Sequence, residues 1–114
     1  MLSIERQEKI LRGLGLTEAE HVVTVNDKTI NGEAFWCKDT KSNDERTLII
    51  LAVNEDEFPK RSSSALREIC EEISLAYLKQ HEDVSLGEIQ FAIVDLVVFR
   101  ENYAMIRKHY LNRD

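Results

Sequence analysis

The chain has 114 residues, 43% of them hydrophobic and 32% charged, with four glycines, one proline and a formal net charge of −6. Such a composition suits one globular domain, residues 1–114, and excludes disordered, collagenous and low-complexity classes. The acidic excess weighs against gripping a phosphate backbone, and the longest apolar run, Leu48 to Val53, is far too short to span a bilayer.

Ser3 is a candidate N-cap for a first helix whose stripe holds Ile4, Ile10, Leu11 and Leu14, and Gly13 and Gly15 end it. His21 to Val25 is a β-branched run that reads as a strand. Asn26-Asp27-Lys28 and Asn31-Gly32 are turn or bulge chemistry, and Ala34 to Cys37 resumes a strand. Thr47 to Val53 is apolar at almost every position, as a strand buried on both faces should be. After Pro59, the serines at 62 to 64 offer N-caps to the longest helix. Its inner face carries Leu66, Ile69, Cys70, Ile73, Ala76 and Tyr77, and Arg67, Glu68, Glu71, Glu72 and Lys79 form the solvated side. Ile89 to Phe99 is a long apolar strand interrupted by Gln90 and Asp95, and Tyr103 to Leu111 favours a last strand over a short amphipathic helix. The expected fold is therefore α/β (α+β): one domain of order α-β-β-β-α-β, then one more element, with a mixed central sheet and the long helix packed on it.

Few residues invite a chemical role. Asp95 stands among Ile93, Val94, Leu96 and Val97, where an ionised carboxylate needs a partner or water. It reads as a strand-end or edge residue, or as the ion-pair partner of Arg100 or Arg107, before it reads as a ligand or base. His21, His81 and His109 are too scattered to suggest a metal site, and Ser62-Ser63-Ser64 lacks the glycine elbow of a nucleophile. Phe35 and Trp36 are neighbours in a strand, so they face opposite ways; one belongs in the core and the other is free for a contact surface. Cys37 and Cys70 lie in apolar segments, and the start, Met1-Leu2-Ser3-Ile4-Glu5-Arg6, lacks a signal-peptide pattern. The expectation is a cytoplasmic protein with buried, reduced thiols.

The order of elements is similar to the core of the restriction-endonuclease-like fold. Within that fold, Asn26 to Glu33, ending in Gly32-Glu33, resembles the approach to the Gly-Glu of the YraN-like family of predicted nucleases. Ile49 to Asn54 stands where that family has its Glu-X-Lys strand. The helix after Ser62, the strand Phe91 to Val98 and the tail Ala104 to Asn112 continue the likeness over most of the chain. The resemblance implies an aspartate and a glutamate holding Mg²⁺ and a lysine beside them. At those positions this chain has Phe35, Ala52 and Asn54. A phenyl ring and a methyl group cannot ligate a hard cation. Whether as a scaffold that has lost its chemistry or as a likeness of architecture alone, these residues lead away from catalysis.

The expected function is thus a non-catalytic, small acidic protein-binding module of the adaptor, immunity or chaperone-like kind, with no catalytic residue, metal or cofactor assigned. The alternative is a metal-dependent nuclease using displaced carboxylates such as Glu33, Glu55 and Asp95. Between residues 39 and 57, six acids (Asp39, Asp44, Glu45, Glu55, Asp56 and Glu57) oppose Lys41 and Arg46. Glu55, Asp56 and Glu57 run directly into Phe58, an acidic rim beside an aromatic anchor, and these four are the expected contact for a protein partner, whose complementary charge would be basic.

Overall fold

The computed structural model describes the backbone of residues 3–26, 30–39, 47–53, 62–99 and 102–111, with side chains over the same spans except 39, 47–48, 63, 86, 96–99 and 102–109. Its elements are α1 (Ile4–Gly13), β1 (Leu16–Asn26), β2 (Asn31–Asp39), β3 (Thr47–Val53), α2 (Ser63–Leu78), a short 3-10 turn (Leu86–Glu88), β4 (Ile89–Phe99) and β5 (Asn102–Tyr110). The strands form one mixed sheet in the order β1-β2-β3-β4-β5. All neighbours are antiparallel except β3 and β4, which run parallel with α2 as their crossover.

Alternation along the strands divides the interior into two layers. On one side, Ala34, Ile49, Leu51, Val53, Ile89, Phe91 and Ile93 meet Leu66, Cys70 and Ile73 of α2. On the other, Phe35, Cys37, Ile50, Ala52, Ala92 and Val94 meet Leu11 of α1. β3 contributes to both layers, which is why its sequence is uninterrupted apolar. Cys37 and Cys70 are buried in different layers, with the sheet between them, so they cannot bridge.

The ends of the helices follow from local chemistry. The Ser3 hydroxyl accepts from the Arg6 N–H and the Ser62 hydroxyl from the Ala65 N–H. α1 stops before Gly15, whose φ of 94° is left-handed. The stripe of α1 is shallower than its sequence suggests: Leu11 is fully buried, Ile4, Ile10 and Leu14 are half-buried, and Gln7 joins Leu11 inside. Arg67 also leaves the solvated side expected for it. Its guanidinium lies 4.7 Å from the centre of the Phe91 ring, donates to the Leu111 carbonyl at 2.6 Å and pairs with Glu71 at 3.0 Å. One side chain thereby ties α2 to β4 and to the end of β5.

Both outer strands are irregular. β1 carries an extra residue between Thr17 and Glu20 and another between His21 and Val23; β5 carries one opposite the Asp95–Leu96 step. Such bulges increase twist and make an edge a poor template for foreign strands. The first places Glu18 at a φ of 58°, a conformation that costs an L-residue about 1–2 kcal/mol. α1 adds a second protection: Arg12 donates to the Ala19 carbonyl at 2.7 Å, and Glu8 accepts from the His21 N–H at 2.7 Å.

Gly32 sits opposite Val53, where a Cβ would run into the Ala52 carbonyl and touch the Val53 side chain, whereas a Cβ on Gly13 would meet open space. Gly32→Ala is therefore expected to lower unfolding stability by more than about 1 kcal/mol, and Gly13→Ala to raise it by up to about 1 kcal/mol. Urea denaturation of the two variants checks both signs, and a neutral Gly32→Ala would show that β2 and β3 are further apart.

Candidate functional site

Phe35 and Ala52, two of the three positions singled out by the resemblance to nucleases, lie together on the α1 side of the sheet, and they are core. Phe35 is fully buried and Ala52 nearly so, in one apolar layer with Leu11, Ile50, Ala92 and Val94. The third position, Asn54, lies outside the described residues.

At the margin of that layer is a small polar group. Glu33 faces Ala52 across the β2–β3 pair and Thr24 across the β1–β2 pair. Its carboxylate accepts from the Thr24 hydroxyl at 2.5 Å and stands 3.4 Å from the His21 Nε2. The His21 ring packs edge-on against Phe35, with centroids 5.5 Å apart. Glu33 is thus a buried carboxylate bonded to a hydroxyl, beside an aromatic ring and an imidazole whose buried Nε2 makes no hydrogen bond among the described residues. These side chains do not form a cation cage: among the described residues no three His, Cys, Asp or Glu side chains converge as metal ligands.

Asp95 lies on the other side of the sheet. It pairs with Val53 of the α2-side layer, while Glu33 pairs with Ala52 of the α1-side layer. The sheet therefore separates these two carboxylates, and no single ion can take both. Asp95 is also fully buried in β4, which runs between β3 and β5, so it is neither an edge nor a strand-end residue. Arg107 is its partner in the β4–β5 register. Glu55, Asp56, Glu57 and Phe58, the expected partner contact, lie outside the described residues, as do Asp44, Glu45 and Arg100.

A second group joins β2 to the end of α2. Trp36 stacks on Tyr77 of α2, with ring centres 6.0 Å apart and 18° between planes; Tyr77 stacks on His81 at 4.0 Å and 15°. Trp36 and His81 are half-buried and Tyr77 is nearly enclosed. Burial first, and then the carboxylates of Glu20, Asp83 and Glu18, push the Tyr77 hydroxyl up to about 12. The i, i+4 spacing of Tyr77 and His81 on a helix end was the available signal. The Trp36 contact was not, because it depends on strand order.

No protein-family model, curated protein or solved structure matches the chain. Among the described residues no helix is long and apolar enough to cross a membrane.

Cys70 also has a displaced titration. Burial pushes its thiol from 9.0 up to about 12; nearby Arg67 pulls it down and Glu71 pushes it up by less. Because the folded value is the higher one, the unfolded chain ionises first. The stability that Cys70 supplies is whole below pH 9 and is lost as pH rises toward about 12, with a slope of at most about 1.4 kcal/mol per pH unit. Unfolding free energies measured from pH 8 to 11 should therefore fall more steeply for the wild type than for Cys70→Ala. Equal slopes would mean that water reaches the thiol in the native state.

Proposed function

We propose that the chain is a non-catalytic protein-binding module on a restriction-endonuclease-like scaffold. One observation carries this reading: Phe35 and Ala52, where a nuclease of the YraN-like kind would present its metal-binding carboxylates, are packed into a closed apolar layer beneath α1. A site of that chemistry needs oxygen ligands and room for water around the ion, and a phenyl ring and a methyl group provide neither. The mixed sheet with its parallel β3–β4 pair and α2 crossover supports the comparison of architecture, although fold alone never decides function. The displaced-carboxylate nuclease draws no support from the geometry, because Glu33 and Asp95 face opposite sides of the sheet.

For such a module the net charge of −6 favours a basic protein partner and disfavours nucleic acid. Glu55, Asp56, Glu57 and Phe58 remain the proposed contact read from the sequence, with the ring supplying affinity and the acids supplying association rate. A cytoplasmic setting fits the two buried thiols on opposite faces of the sheet, which need no oxidising compartment.

The test has two arms. Purified protein with Mg²⁺ or Mn²⁺ should leave single-stranded, duplex and branched DNA uncut, and the tagged chain recovered from its native host should retain a protein at constant stoichiometry. DNA cleavage by the wild type that disappears in Glu33→Ala or Asp95→Ala would sink the non-catalytic reading.

A further inference from the structure

The layer between sheet and α2 ends at a half-buried margin formed by Trp36, Leu78 and Val84, and there the three rings of Trp36, Tyr77 and His81 stack toward the surface. Carboxylates surround this stack. Glu20 is the cross-strand partner of Trp36 on β1 and is exposed; Asp83 follows His81 by two residues and is exposed as well. Glu18 stands nearby, held by the first bulge of β1 at its left-handed φ, and is paired with Lys38 at 3.7 Å. Backbone strain in a non-glycine residue is tolerated where the surroundings impose it, and such places cluster at binding sites.

Trp36 adds an independent observation: its indole Nε1–H is buried and, among the described residues, has no hydrogen-bond partner. Beside it, burial first and then the carboxylates of Glu20, Asp83 and Glu18 push the Tyr77 titration upward. A backbone carbonyl of a docked segment can accept from the Trp36 N–H while a cationic side chain of the same segment neutralises the acids around the stack.

We propose that the acid-flanked ring stack Trp36–Tyr77–His81 is a docking surface for an arginine side chain of a protein partner. The inference rests on the protein-binding reading above and places a contact on the β1–β2 side of the sheet. Two features select arginine. A planar guanidinium continues a ladder of stacked rings on the outer face of His81, as a compact ammonium cannot, and its several N–H donors reach carboxylate and hydroxyl together. Glu20 and Asp83 supply the opposite charge at exposed positions, so that they raise association rate while the rings supply contact area.

The probe is a blocked oligo-arginine peptide titrated into the full chain. Binding is followed by the fluorescence of Trp36, the only tryptophan, with oligo-lysine of equal length as the comparison. Circular dichroism confirms that each variant is folded. Saturable quenching by oligo-arginine is expected, with clearly weaker binding of oligo-lysine. The double variant Glu20→Gln/Asp83→Asn should raise Kd by about tenfold or more, and His81→Ala should raise it by several-fold. Glu68→Gln/Glu72→Gln removes the same charge from the exposed side of α2 and should change Kd by less than about threefold. Equal losses in the two double variants, or equal affinity for the two peptides, would mean bulk charge attraction and overturn the proposal. A protein partner that still co-purifies while oligo-arginine fails to bind would overturn this surface and leave the protein-binding reading standing.

Discussion

β3 and β4 lie side by side in parallel at the centre of the sheet, and both must be covered on both faces. Ile49, Leu51 and Val53 project to one side, Ile50 and Ala52 to the other, and all are buried. A strand of that kind is stable only with a hydrophobic layer above and below it. Among the described residues two α-helices supply those layers. α2 lays Leu66, Cys70 and Ile73 across one face, while α1 with Leu11 closes the other. Burying a Leu or Ile side chain is worth about 1.5–3 kcal/mol, so the pattern of β3 alone commits much of the remaining architecture.

The same constraint determines where polar chemistry can survive. With Phe35, Ile50, Ala52, Ala92 and Val94 filling the layer beneath α1, Glu33 is pushed to its margin and settles with Thr24 and His21. Glu8 and Arg12 of α1 are free of core duty and bind backbone groups of β1. On the other face the layer is closed by rings at its margin, Trp36, Tyr77 and His81, and there carboxylates gather at the surface. The molecule thus has a dry, apolar layer beneath α1 and an acidic, aromatic margin on the opposite side.

Much of this is legible in the sequence where packing and local periodicity agree. Thr47–Val53 and Ile89–Phe99 are strands over the very residues whose apolar runs announce them, and α2 begins at the serine cap. Phe35 and Trp36 divide as neighbours in a strand must, one into the core and the other half-buried. β1 is longer than its β-branched run, because Leu16 to Glu20 form a bulged edge strand whose polar residues carry no apolar alternation. A lone carboxylate in an apolar run suggests an edge or strand end for Asp95, whereas strand order places it centrally, with Arg107, the other expectation for it, as its register partner on β5. The pairing of His21 with Glu33 and the stacking of Trp36 on Tyr77 join residues 12 and 41 positions apart. Contacts of that separation depend on register and on helix placement, which periodicity in one segment cannot encode.

The central claim is that Phe35 is core, and that in the proposed reading it fills the place of a metal ligand; Phe35→Asp tests it most directly when unfolded with urea in the presence and absence of Mn²⁺. A carboxylate placed in that closed apolar layer should cost at least about 3–5 kcal/mol or abolish folding, and Mn²⁺ should restore none of it. A stably folded Phe35→Asp protein whose midpoint rises with Mn²⁺ would contradict the claim, because it would reveal a dormant metal site instead of a filled core.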